Sequence, residues 1–161
     1  MNPTPLPQPL EVRELLEGLF ARPVTTTVVT TKVDPLMHPG AVVGVYTDDT
    51  LALKAIMAFD VPLAAYAGAA IALMAPAVAS KAVESGLLSP QLFDNTAEIL
   101  NVAASLFNAD GAPHLRLYQT FAPRETLPGD AQRMMRAFVR RLDVEVEISG
   151  YGTGQASLLA I

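Results

Sequence analysis

Cysteine is absent from the 161 residues, so neither disulfide cross-links nor thiol chemistry serves this chain, and a cytoplasmic location is allowed. Charge is scarce as well: only 17% of the residues are Asp, Glu, Lys or Arg, against 51% hydrophobic. So little solvent-facing charge for so much core material implies surface buried against a partner or a second copy, and a homodimer is the expected assembly. A basic excess is also missing. The formal charge of -5 and pI near 4.9 repel phosphates unless a basic groove compensates, which argues against nucleic acid and against acidic membrane surfaces. Metal-ligating residues are sparse: His38 and His114 stand far apart without clustered carboxylates and read as loop or strand residues, so no cofactor or metal of its own is expected.

No Leu-rich span long enough for a bilayer exists. The uncharged stretch from Val61 to Ala79 is mostly Ala and carries Pro62, Gly68 and Pro76, which suits a buried or interface helix better than a membrane span. The first nine residues hold four prolines and no positive charge, unlike a signal or transit peptide, and read as a flexible leader. Residues 10–161 are then one domain, long enough for a single core and short for two.

Leu10 to Phe20 has apolar residues at 12, 15, 16, 19 and 20, a helical period closed by Arg22 and Pro23. Val24 to Val33, rich in Val and Thr, and Ala41 to Thr47, across the turn residues Asp34 to Gly40, predict an antiparallel strand pair. Thr47 or Asp48 is positioned to cap a helix from about Thr50 to Phe59, and Asp60 with Pro62 opens an Ala-rich helical stretch to about Ser85, broken near Pro76. Gly86 ends it, and Ser89 before Pro90 starts the next helix.

His114 to Phe121 reads as a strand, Asp130 to Arg141 as a short helix, and the alternating Leu142, Val144, Val146 and Ile148 as a half-buried strand. Gly150, Gly152 and Gly154 imitate a nucleotide-binding fingerprint, but no helix follows, so they predict a hairpin turn before a last strand, Gln155 to Ile161. Arg133, Arg136, Arg140 and Arg141 read as a solvated face near a helix end. With few candidate parallel crossovers, the fold class is α+β: a mostly antiparallel sheet with helices packed on one face.

One feature carries chemistry. In the helix opened by Ser89, polar residues Asp94, Glu98, Asn101, Ser105 and Asn108 recur at alternating steps of four and three, which places them on one face. Leu92, Phe93, Ile99, Leu100, Val102, Leu106 and Phe107 form the apolar remainder. No Lys or Arg interrupts the stripe, whereas a solvated face commonly mixes both signs. Glu98 and Asn101 thus offer a carboxylate and a carboxamide one turn apart. A Glu-x-x-Asn pair arises by chance about 0.4 times in such a chain, but adding Asp94 four residues earlier and Pro123 about 22 residues later lowers that to roughly 0.01.

This spaced set resembles the signature of the CheC, CheX and FliY chemotaxis phosphatases, with Asp94, Glu98, Asn101 and Pro123 at its four positions. The order of elements from about Leu10 onward is also similar to CheX. The resemblance implies a protein that dephosphorylates a CheY-type response regulator, with Glu98 engaging the regulator's active-site Lys and Asn101 orienting the hydrolytic water. It also implies one motif per chain and pairing as dimers. Asp94 and Ser105 would belong to the partner-binding surface, and the Mg2+ ion would be the regulator's.

The residue types fit that chemistry independently. An aspartyl phosphate beside its metal ion needs from outside only a water placed in line. A neutral carboxamide accepts a hydrogen bond from that water and donates one toward phosphoryl oxygen, while a nearby carboxylate pairs with a partner cation and fixes the register. The alternative is a noncatalytic binding or dimerisation module of the same fold, with the stripe serving as a docking or merely wet face.

Overall fold

A computed structural model describes residues 1–161. A six-stranded sheet in the order β1-β5-β6-β3-β2-β4 forms its centre. The strands are β1 Val24–Val28, β2 Ala41–Thr47, β3 Leu53–Asp60, β4 Arg116–Phe121, β5 Arg140–Ile148 and β6 Gly152–Ala160, and every neighbouring pair is antiparallel. The expected α+β architecture is therefore the observed one.

Helices α1 Pro9–Phe20, α2 Val61–Ile71 and α4 Pro90–Val102 lie on one face, where Leu16, Leu63, Leu100, Met57 and Val144 share the main core. Helix α3, Pro76–Ser85, forms an outer layer, its Ala79 and Ala82 against Ala65, Ala69 and Leu92. The short α5, Gly129–Arg136, lies across the sheet, where Ala131 and Met134 cover Val43, Val45, Ile56 and Ala58. Alternation along each strand sends successive side chains to these two faces.

Three local expectations are corrected. The segment expected as a helix from Thr50 to Phe59 is strand β3. Both of its faces are buried, through Ala55, Met57 and Phe59 on one side and Ile56 and Ala58 on the other, so its apolar run carries no period that distinguishes strand from helix. Asp48 serves the β2–β3 turn instead of a helix cap, its Oδ1 accepting from the Thr50 N–H at 2.8 Å, the Thr50 hydroxyl at 2.6 Å and the Ala52 N–H at 3.1 Å. β1 pairs with β5, Val24 opposite Ile148, and not with β2; residues 29–40 leave the strand and cross the second face of the sheet as a strap. The helix expected from Asp130 to Arg141 ends at Arg136, because Arg140 already enters β5.

The expected helix starts at Asp60 and Ser89 are observed, while the last strand begins at Gly152 instead of Gln155 and β4 at Arg116 instead of His114. Asp60 caps α2 by accepting from the Leu63 N–H at 2.9 Å, and Ser89 caps α4 through the Leu92 N–H at 3.2 Å. The glycines from 150 to 154 form the β5–β6 turn and the start of β6. At Gly154 a Cβ would lie 2.3 Å from the Leu63 nitrogen, so only glycine lets α2 start this close to the sheet. Residues 1–9, expected as a flexible leader, lie along the domain: the Asn2 N–H donates to the Gly111 carbonyl at 2.8 Å, Thr4 is buried, and Arg140 donates to the Thr4 carbonyl. No helix is long and apolar enough to cross a membrane.

Candidate functional site

Helix α4 is held from beneath by small residues and buried polar groups. The Thr96 hydroxyl donates to the Ala64 carbonyl at 2.8 Å, and the Asn95 amide to the Gly68 carbonyl at 2.9 Å, both acceptors lying in α2. A Cβ on Gly68 would come within 2.7 Å of the Leu92 carbonyl oxygen, so the two helices touch backbone to backbone. On the sheet side, a Cβ on Gly44 of β2 would stand 3.2 Å from Leu117 and 3.3 Å from Leu100. Tyr46, also of β2 and fully buried, donates its hydroxyl to the Leu100 carbonyl at 2.6 Å, and burial pushes its phenol pKa up.

This anchoring fixes which side of α4 faces outward. Leu92, Thr96, Ile99 and Leu100 are buried, while Asp94, Glu98, Asn101 and Ser105 are all exposed. The expected stripe is thus open to solvent. Glu98 and Asn101, three residues apart on a helix, have Cβ atoms about 5–6 Å apart. Neither side chain has a hydrogen bond or ion pair within the chain. Beyond Val102 the chain tightens into a 3-10 turn, Ala103–Phe107, in which the Ser105 hydroxyl donates to the Val102 carbonyl at 3.1 Å.

The rest of the motif divides. Asn108 leaves the stripe to clamp the backbone of Leu115, donating to its carbonyl at 3.1 Å and accepting from its N–H at 2.7 Å. Val102, expected on the apolar side, is 43% exposed and adjoins Asn101 as an apolar element of the outer surface. Pro123 lies after β4, where a Cβ on Gly40 would meet its own Cβ at 3.2 Å; its contact is with the strap. Asn95 and Thr96 anchor α4 to α2 in a way that the stripe spacing does not reveal. Their signal is the small pair Ala64 and Gly68, which lets α4 come close enough for these side chains to reach the carbonyls of α2.

The arginine cluster does not form one site. Arg141 makes a two-pronged pair with Asp143, both bonds at 2.8 Å, Arg140 holds Thr4, and Arg133 and Arg136 stand at the end of α5. His38 approaches Arg124, and no group of three His, Cys, Asp or Glu residues is placed to hold a metal.

The sheet order and the helical face give a fold shared with the FliM middle domain and FliY. Among solved structures, the chain is similar to one in the FliM–SpeE complex from H. pylori, with a TM-score of 0.61 and 9% identity over 94% of this chain and 80% of that one. It is similar to the FliM middle domain of Vibrio alginolyticus, at 0.58 and 8% over 94% and 86%. FliY from Thermotoga maritima matches at 0.53 and 15% over 92% and 81%. At these identities the likeness is one of fold. No protein-family model matches the chain, and no curated protein matches its sequence.

Proposed function

We propose that the chain stimulates dephosphorylation of a phosphorylated CheY-type response regulator through the outer face of α4. The observation that carries this reading is the shared exposure of Glu98 and Asn101 on one anchored helix, with no partner inside the molecule. Asn101 accepts a hydrogen bond from a water through Oδ1 and donates toward a phosphoryl oxygen through Nδ2, holding the water in line with the acyl phosphate. Water attacks phosphorus, the bond from phosphorus to the aspartyl oxygen breaks, and inorganic phosphate leaves. Glu98 pairs with a lysine of the regulator and sets the register, while Asp94 and Ser105 border the contact. The metal ion is the regulator's. Pairing of two copies, a cytoplasmic location and a place in chemotaxis belong to the same proposal.

A second reading has its own support. The FliM middle domains align at least as well as FliY, and FliM is seen in complexes with SpeE and with FliG, so a noncatalytic binding module fits this fold equally. Mixing the protein with a phosphorylated CheY-type receiver and following phosphate release separates the two. Release faster than the receiver's own rate supports the phosphatase; binding with an unchanged rate supports the module.

A further inference from the structure

The strap of residues 29–40 is fastened to the second face of the sheet by a buried polar chain. The Val33 N–H donates to the Ser157 hydroxyl at 3.0 Å, and that hydroxyl donates to Asp143 at 2.6 Å. Asp143 is in turn held by Arg141, and the Val29 N–H donates to the Asp143 carbonyl at 3.0 Å. Facing the strap are the turn after β4 and the side of α5 that carries Gln132, Met135 and Arg136. Between these walls lies a cavity of about 430 Å3, within the roughly 300–1,000 Å3 range of small-molecule sites.

Its chemistry is divided by depth. Val33 and Leu127 are buried in the floor beside Met135, whereas Lys32, Arg124 and Arg136 stand exposed around it. None of the three cations is in an ion pair; the two pairs in the chain are Arg13–Glu17 and Arg141–Asp143. Arg124 meets His38 at Nδ1. The carboxylates at the same site are turned to local duty, Asp34 accepting from the Leu36 N–H at 2.9 Å and Glu125 from the Ala122 N–H at 3.1 Å. Three cations, none of them ion-paired and one, Arg124, bonded to His38, therefore surround an apolar floor on a chain of net charge -5. Leu36 and Met37, 76% and 67% exposed, leave further apolar surface uncovered on the strap.

We propose that this cavity binds a small organic anion with an apolar body and one carboxylate, sulfonate or phosphate head. The body lies on Val33, Leu127 and Met135, and the head is held by Lys32, Arg124 and Arg136, the arginines offering planar forks to a paired-oxygen group. The site is across the sheet from α4 and independent of the phosphatase reading.

The test is a fluorescence titration of the full chain with anilinonaphthalenesulfonate, an apolar sulfonate, followed by competition with decanoate and, separately, inorganic phosphate. One saturable site is expected, emptied by decanoate but not by phosphate at the same concentration. The double variant Lys32→Gln/Arg136→Gln, at exposed positions, is expected to melt like the parent and to bind at least 10-fold more weakly. Met135→Glu is expected to weaken binding similarly by placing a like charge in the floor. Unchanged affinity in these variants, equal displacement by phosphate, or no saturable signal would overturn the assignment.

Discussion

The Tyr46 hydroxyl reaches out of the sheet to the carbonyl of Leu100, the residue before Asn101, at 2.6 Å. Its ring also meets Phe107 at a centroid distance of 5.0 Å. One buried tyrosine of β2 thus sets the height of the α4 turn that displays Glu98 and Asn101, and ties the core directly to the outer face.

Tyr46→Phe removes that bond while keeping the ring. The expected cost is about 1 kcal/mol, which lowers the melting temperature by roughly 2–4 °C in a domain of this size. Stimulated dephosphorylation should fall less than in Asn101→Ala. A thermal melt that matches the parent would show that the bond does not fix the helix.

Gly68→Ala tests the close approach of α2 and α4. The added methyl would stand 2.7 Å from the Leu92 carbonyl and 3.1 Å from the Thr96 hydroxyl, both on the helix carrying the stripe. Destabilisation of about 1–3 kcal/mol is expected in chemical denaturation, from overpacking against backbone that has no rotamer to escape into.

Asp143 gives a pH signature. Burial acts to raise its pKa, but hydrogen bonds from Arg141 and Ser157 and the Arg141 charge prevail and hold it below the ordinary carboxylate value. A lowered folded-state pKa contributes stability that is present above the unfolded value, about 3.9, and is lost as pH falls through the folded value. Asp143→Asn should therefore cost about 3 kcal/mol near neutral pH, leaving Arg141 without its counter-charge. The gap to the parent should close as the solution is acidified below about pH 4. Denaturation midpoints at a series of pH values check this; a gap independent of pH would contradict it.

Glu98→Gln keeps the shape and removes the charge. If the carboxylate pairs with a lysine of the receiver, the variant should require more receiver for half-maximal stimulation, and the requirement should depend less on salt than in the parent. A salt dependence identical to the parent's would place the docking contact elsewhere.

Much of this molecule is legible in its residues where a local rule acts alone. The Ser89–Pro90 and Asp60–Pro62 starts, the Gly86 stop and the alternation from Leu142 to Ile148 each correspond to an observed boundary or face. The stripe was readable because one face of α4 is solvated and the other is not. Legibility fails where tertiary burial erases the period, as in β3, or where a capping group serves another purpose, as Asp48 does in a hairpin turn. The pairing of β1 with β5 joins segments from the two ends of the chain, and no short-range signal encodes it. The clamp of Asn108 on Leu115 likewise depends on where the chain returns, not on its helical spacing.

The most direct measurement is the rate of phosphate loss from a phosphorylated CheY-type receiver, alone, with the protein, and with Asn101→Ala. Because Asn101 is exposed and unpartnered, the substitution should change stability by about 0.5 kcal/mol or less. Stimulation by the parent is expected, with a loss on the order of 100-fold in the variant at an unchanged melting temperature. Equal stimulation by parent and variant, or none by either, would contradict it.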